Sequence, residues 1–323
     1  MAGVKPTHVF LDISLACNLR CIQCGIHRLS DPPESLDLAQ RRRVVRQIAE
    51  WDPSIRLVLT GGELLLHRNA LWDIAQCCKE HGVYATLSTN GTLVTKRDAE
   101  ILAASGIRCV VVSLDSHVPA THDRIRGISG TWDRAVQGVR WLVAARDKSA
   151  NGFSVLTSSI LGEHNLHETE ELLIWLWSLG IDTTLFQPVQ PDFARPHTPG
   201  WHKSSPLWPR QTSTMNAGID NLIRHRRAGM RIFQTPEKFE DMRAYFDAPD
   251  GLKESVCASL DGNMMIDITG QVRFCFLMDS LGLPVAGNVR KESLQAIWEN
   301  RTACEAAMRG CRRGCGAMIC HAR

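Results

Sequence analysis

The stretch that most constrains this chain is Cys17 to Cys24, which reads CNLRCIQC. Its three cysteines follow directly on an apolar, alternating run, His8–Leu15. Such a run predicts a β-strand, with the thiols on the loop leaving its end. A structural zinc site uses four ligands, commonly two CxxC-type pairs. Three thiolates on one loop suit a [4Fe-4S] cluster better, because soft sulfur favours iron–sulfur and three ligands leave one iron open. A zinc loop that borrows a distant fourth ligand is the alternative.

The first two-thirds of the chain alternates strand and helix. Candidate strands are Val9–Leu15, Ile55–Thr60, Tyr84–Ser88, Cys109–Leu114, Phe153–Ile160 and Thr183–Gln187. Amphipathic segments lie between them, near Leu38–Glu50, Ala70–His81, Lys96–Ser105, Trp132–Ala145 and Leu166–Leu179. Repeated strand–helix alternation predicts parallel βαβ units. Gly82 and Gly180 follow two of the helices as C-terminal stops. A parallel sheet carries its reactive groups on the loops after the strand ends. The cysteine loop, Gly61–Glu63, Asn90-Gly91 and Asp115 all fall there.

This set of motifs resembles the radical S-adenosylmethionine (SAM) superfamily. The resemblance rests on Cys17, Cys21 and Cys24, then Gly61-Gly62-Glu63, Thr89-Asn90-Gly91 and Ser113-Leu114-Asp115, in register over most of the chain. It implies an α/β fold, a partial (β/α)6 TIM-like barrel followed by a small twitch-type iron–sulfur domain. Cys17, Cys21 and Cys24 would hold the first cluster, and the SAM amine and carboxylate would fill its open iron. Gly61 and Gly62 would allow close backbone approach to that ligand, and Glu63 would accept from its ammonium group. On the same resemblance Thr89 and Ser113 face the SAM carboxylate and ribose, with Asp115 near them. Ser159 and Gln187 would reach ribose and adenine. Without the resemblance, Gly-Gly reads as a tight turn, and Ser113 and Asp115 as strand-end caps. Two positions depart from the family pattern: Leu64 stands where Pro is usual, and Gln23 where an aromatic is usual. Adenine must then be held by hydrogen bonds or by a ring from elsewhere.

From Pro188 to Pro209 the texture changes: six of the 14 prolines sit here, with Trp201, Trp208, His197 and His202. Proline fixes φ and removes donors, so this reads as a stiff loop, a lid or wall for the substrate. Helical texture returns at Ser213–Arg227 and Pro236–Phe246. The basic runs Arg41–Arg43 and His225–Arg227 read as solvated helix faces.

The last 70 or so residues hold Cys257, Cys275, Cys304, Cys311, Cys315 and Cys320. Asn263–Asp267 and Gln271–Phe276 alternate around Thr269-Gly270, a hairpin signal. An amphipathic run, Leu294–Met308, and the tail CRRGCGAMIC follow. A segment this small needs a staple. Its arrangement resembles the SPASM/twitch extension of radical SAM enzymes, which implies a second, auxiliary [4Fe-4S] cluster. Cys257, Cys275 and Cys311 would ligate it, with Cys315 or Cys320 as the fourth ligand; a zinc knuckle is the alternative. Cys304, Cys77, Cys78 and Cys109 read as small apolar packing residues. The expected division is 1–235 for the barrel, including the substrate loop 188–209, and 236–323 for the auxiliary domain.

Twelve cysteines without an N-terminal secretory signal point to metal in a reducing cytosol. A formal charge of +3 gives no global argument for nucleic acid, and no stretch has the length of a membrane span. The expected activity is reductive cleavage of SAM, then hydrogen abstraction from a substrate C–H by a 5′-deoxyadenosyl radical. A small polar natural-product intermediate of sugar or aminocyclitol type is the first substrate class, because the first strand starts almost at once and the proline-rich loop carries His, Trp, Asp and Arg. If a leftover thiol, Cys320 or Cys304, faces the pocket, it returns a hydrogen and the enzyme epimerises. If none does, the auxiliary cluster takes the electron and the enzyme dehydrogenates. A flavodoxin- or ferredoxin-type donor would supply the reducing electron. Modification of a ribosomally made peptide is the second reading. A non-catalytic electron carrier is the third, and it would have no use for Gly-Gly-Glu or an enclosing barrel.

Overall fold

The computed structural model describes residues 5–149, 152–192, 194, 198–249, 251, 258–276 and 282–309. Its first strands are β1 (His8–Ser14), β2 (Arg56–Gly61), β3 (Ala85–Thr89), β4 (Ile107–Ser113), β5 (Ser154–Leu161) and β6 (Thr183–Pro188). They lie side by side in sequence order, every neighbour parallel. The connecting helices are α1 (Leu38–Trp51), α2 (Arg68–His81), α3 (Lys96–Ala104), α4 (Pro119–Arg126), α5 (Thr131–Lys148) and α6 (Thr169–Ser178). This is the expected partial barrel. Alternate residues of each strand, such as Val9, Leu11 and Ile13, join the buried core with the helices. The other face stays half-buried and forms the inner wall.

The strand and helix bounds follow from local chemistry. Asp37 and Gln40 form a reciprocal capping box that starts α1, and Thr95 with Asp98 does the same for α3. Helix α4 went unannounced because its buried side is His122, Ile125 and Arg126, which leaves one apolar residue where a stripe would show.

The C-terminal part continues the same sheet. β7 (Asn263–Ile266) pairs parallel with the free edge of β1, with Met265 opposite Phe10. β8 (Gln271–Arg273) returns antiparallel, and β9 (Gly287–Asn288) closes the edge. The hairpin around Thr269-Gly270 is present, with Gly270 at φ 87°. Helix α7 (Thr212–Arg227) precedes α8 (Pro236–Asp247). Helix α8 packs on the barrel. Phe239 meets Phe186 of β6 at 6.4 Å, and Tyr245 Oη donates to the Val189 carbonyl at 3.0 Å. The run Leu294–Met308 forms two helices, α9 (Leu294–Glu299) and α10 (Thr302–Arg309). Trp298 of α9 is buried against Trp51 of α1 and Phe274.

Two sequence expectations need revision. Arg41 is not on a solvated face: it is buried and donates to the Ile13 carbonyl at 2.7 Å, at the end of β1. Its neighbour Arg42 pairs with Asp73 at 2.8 Å. The described part of the loop after β6 is irregular, as expected, but its described rings pack together and do not line a wall; His197 lies outside the described residues. Trp208 is buried and contacts Trp201, His202, Tyr245 and Phe246. These rings form a small core against α8. Among the described residues, no helix is long and apolar enough to cross a membrane.

Candidate active site

The cysteine loop leaves β1 and is held from several sides. Asp31 accepts from Ser14 Oγ at 2.8 Å and from the Leu15 amide at 2.6 Å. The Gly62 and Glu63 amides donate to the Ser14 and Ala16 carbonyls at 2.6 and 2.8 Å. Asn18 donates to Thr92 and accepts from Asn90, both at 2.9 Å. The Arg20 and Ile22 amides donate to the carbonyls of Arg126 and Ile125, at the end of α4. Beyond the third thiol, Asp192 accepts from the Gly25 amide at 2.7 Å and pairs with Arg28. One end of the proline-rich loop is thereby tied to the cysteine loop.

The motifs beside the loop bind one another first. A Cβ on Gly62 would sit 2.0 Å from the Ala16 carbonyl oxygen, so glycine is needed where two backbones meet. Glu63 is fully buried and accepts from Thr89 Oγ1, the Asn90 amide and the Leu65 amide. Burial raises its pKa, against the pull of those donors. The structure thus places Glu63 and Thr89 against each other. Leu64, where proline is usual, is buried in the core.

Asp115 is fully buried, with its Oδ2 2.7 Å from Arg126 Nη2. Arg126 Nη1 lies 3.9 Å from Cys21 Sγ, within range of a hydrogen bond to sulfur. Burial works against the charge on Arg126, yet Asp115 and Cys21 hold its pKa above the ordinary value. The Asp115 carboxyl is pulled down by Arg126 despite its own burial. Asp115 therefore serves the arginine behind the cysteine loop. Arg126, Asn18 and Asp192 carry this support, and no short motif pointed to them. Only the fold brings them together.

Ser113 and Gln187 lie half-buried on the inner wall, at the ends of β4 and β6. Ser159 faces the other way, is fully buried and donates to the Leu114 carbonyl. That is a packing position. Cys275 is buried just beyond β8. Cys304 is buried on α10 and donates from its Sγ to the Pro284 carbonyl at 3.2 Å, as a packing residue does. Cys257, Cys311, Cys315 and Cys320 lie outside the described residues.

The donor set fits an iron–sulfur cluster. Cys17, Cys21 and Cys24 are free and partly exposed. Burial, with the neighbouring thiols, pushes Cys17 up to about 11 and raises Cys24. Gln23 Oε1 and Arg126 Nε are buried beside the thiols with no hydrogen-bond partner. Three soft ligands on one pinned loop, with polar atoms left over around them, suit a cluster with an open iron.

Acid should loosen the whole support. Burial lowers His8, His122 and His164 to about 4. A folded pKa below the unfolded 6.5 gives stability that is present above that value and lost as pH falls toward 4, by up to about 1.4 kcal/mol per pH unit for each ring. Asp12, raised to about 7 by burial, and Glu63, also raised by burial, run the opposite way over much of the same window. Three rings outweigh two carboxyls, so the urea midpoint of the iron-free chain should fall between pH 7 and pH 5. The fall should be steeper in Asp12→Asn.

Comparison with known proteins agrees with this geometry. Residues 11–176, more than half of the chain, match the model of the Radical SAM superfamily, and residues 257–320 match the SPASM iron–sulfur cluster-binding domain. The AdoMet-dependent heme synthase of Methanosarcina barkeri is 27% identical over 307 residues, covering 91% of this chain and 82% of that protein. The subtilosin biosynthesis protein AlbA of Bacillus subtilis is 26% identical over 191 residues, 59% of this chain and 41% of its own length. Among solved structures, Streptococcus suis SuiB bound to S-adenosylmethionine superposes with a TM-score of 0.71 at 16% identity, covering 94% of this chain and 68% of that one. With a pinned three-cysteine loop at the rim of a six-stranded parallel partial barrel, and a C-terminal iron–sulfur domain matched alongside it, this chain belongs to the Radical SAM superfamily.

Proposed function

We propose that the chain abstracts a hydrogen from a small polar molecule bearing hydroxyl or amine groups, held against the inner wall of the barrel, and releases it epimerised or dehydrogenated. The observation that carries this reading is the inner wall itself. Toward the strand ends it presents Asp12, Thr60, Ser88, Ser113, Ser158 and Gln187, all short or uncharged except Asp12. Such groups orient a hydroxylated ring through directional hydrogen bonds. When bound, the cluster at Cys17, Cys21 and Cys24 and its SAM supply a 5′-deoxyadenosyl radical, and the auxiliary cluster supplies an electron acceptor. The chain's own residues hold, orient and shield. Phe10, Met265 and Phe276 pack together below Asp12 and exclude water from that side.

A second reading takes a ribosomally made peptide, and the match to the bacteriocin biosynthesis protein AlbA favours it. The heme synthase match raises a tetrapyrrole as a third substrate type. The test is 5′-deoxyadenosine formation by reconstituted enzyme with SAM and reductant in D₂O, with each class offered in turn. Small polar rings should raise it above the uncoupled rate. Solvent deuterium in the product marks a thiol donor and epimerisation, and loss of two hydrogens marks dehydrogenation. Stimulation by peptide or porphyrin alone would overturn the proposal.

A further inference from the structure

We propose that Asp12 anchors the substrate inside the barrel, taking an ammonium or a comparably strong hydrogen-bond donor. The inference rests on the small-polar reading above and specifies what that substrate must carry.

Asp12 lies on the face of β1 opposite the core residues Leu11 and Ile13, so its side chain points to the inner wall. The register sets Thr60 of β2 beside it on one side. On the other, Leu11 pairs with Ile266, which brings Asp267 to the neighbouring position beyond β7. Below it, Phe10, Met265 and Phe276 form an apolar floor, with the two rings edge-on at 4.9 Å. Asp12 is therefore a charged group on an inner wall with an apolar base, beside the paired Asp267 and Arg273. It also sits on the strand that leads into the cysteine loop.

Its neighbours are already occupied. Asp267 Oδ1 accepts from the Thr269 amide and hydroxyl and from the Gln271 amide, at 2.8–3.0 Å. Its Oδ2 pairs with Arg273 at 2.6 Å. Arg273 also donates to Gln271 Oε1 at 3.0 Å. Those groups hold the β7–β8 turn in shape. Among the described residues none donates a hydrogen bond to the Asp12 carboxylate, and the side chain is half-buried on β1. A buried carboxylate without donors is costly, and proteins keep such groups paired. Burial and the charge of Asp267 push Asp12 up to about 7, against the smaller pull of Arg273. A cationic donor arriving in the chamber would relieve that cost.

The alternative is a carboxyl kept for the fold alone, and binding separates the two. The probes are a 1,3-diaminocyclitol and its neutral hexahydroxy analogue, titrated calorimetrically into SAM-loaded holoenzyme. Wild type should prefer the diamine by about tenfold or more, the worth of one charge-assisted hydrogen bond. Asp12→Asn should abolish that preference. Asp12→Glu should keep it with weaker binding, and this arm stands if the Asn variant fails to load iron. Iron content and the SAM-induced change in the cluster's EPR signal report that each variant is folded. Undiminished diamine binding in Asp12→Asn would overturn the role of Asp12 while leaving the substrate class intact. If wild type binds neither ring, the small-polar reading fails and the assignment fails with it.

Discussion

Replacing Cys17, Cys21 and Cys24 together by alanine should leave a protein that forms no 5′-deoxyadenosine from SAM and dithionite, yet still carries iron. Each of the three is a free thiol on one loop, which Asp192, Asn18 with Asn90, and Arg126 hold in place. Reconstituted wild type should hold about eight irons per chain, and the triple variant about four, if each cubane contributes four. The iron that remains belongs to the C-terminal set around Cys275, where the SPASM match falls. SAM cleavage by the triple variant would move the reaction centre elsewhere. About four irons in wild type would remove the auxiliary cluster from Cys257, Cys275, Cys311 and Cys315 or Cys320.

Much of the barrel was legible because its signals are local. Alternation in Val9–Leu15 and in Phe153–Ile160 is enough to predict a strand, and the structure places both within two residues. The three thiols were legible for the same reason. What remained hidden depends on contacts between residues distant in sequence. The pairing of β7 with β1 joins residues about 250 positions apart, and loop-closure physics leaves no trace of that in composition. Glu63 and Thr89 looked like two groups waiting for a ligand because each stands on a strand-end loop, but only the folded sheet shows them bound to each other. Ser159 shows how strand alternation decides a face, since Thr157, Ser159 and Leu161 all point to the core.

Breaking the Asp115–Arg126 pair should have the largest effect of any change away from the cysteines. Both groups are buried, and Arg126 is also the contact between α4 and Cys21. Arg126→Gln leaves a carboxylate buried without its cation, and Asp115→Asn leaves the opposite. Losing one partner of a buried pair costs about 3–5 kcal/mol, most of it the desolvation of the survivor. Either single variant should therefore show a large fall in the unfolding free energy of the iron-free chain, and the double variant Arg126→Gln with Asp115→Asn should recover much of it. A purely structural pair would do nothing more than this. A charged guanidinium near a ligand sulfur also favours the more negative, reduced form of a cluster held there. Redox titration of the SAM-responsive EPR signal should then show a lower potential in Arg126→Gln and a higher one in Asp115→Asn, where the cation is left unbalanced. Equal potentials in the two variants, alongside the stability losses, would limit Arg126 to holding the loop. Shifts of opposite sign cannot come from loosened packing, because packing is lost in both.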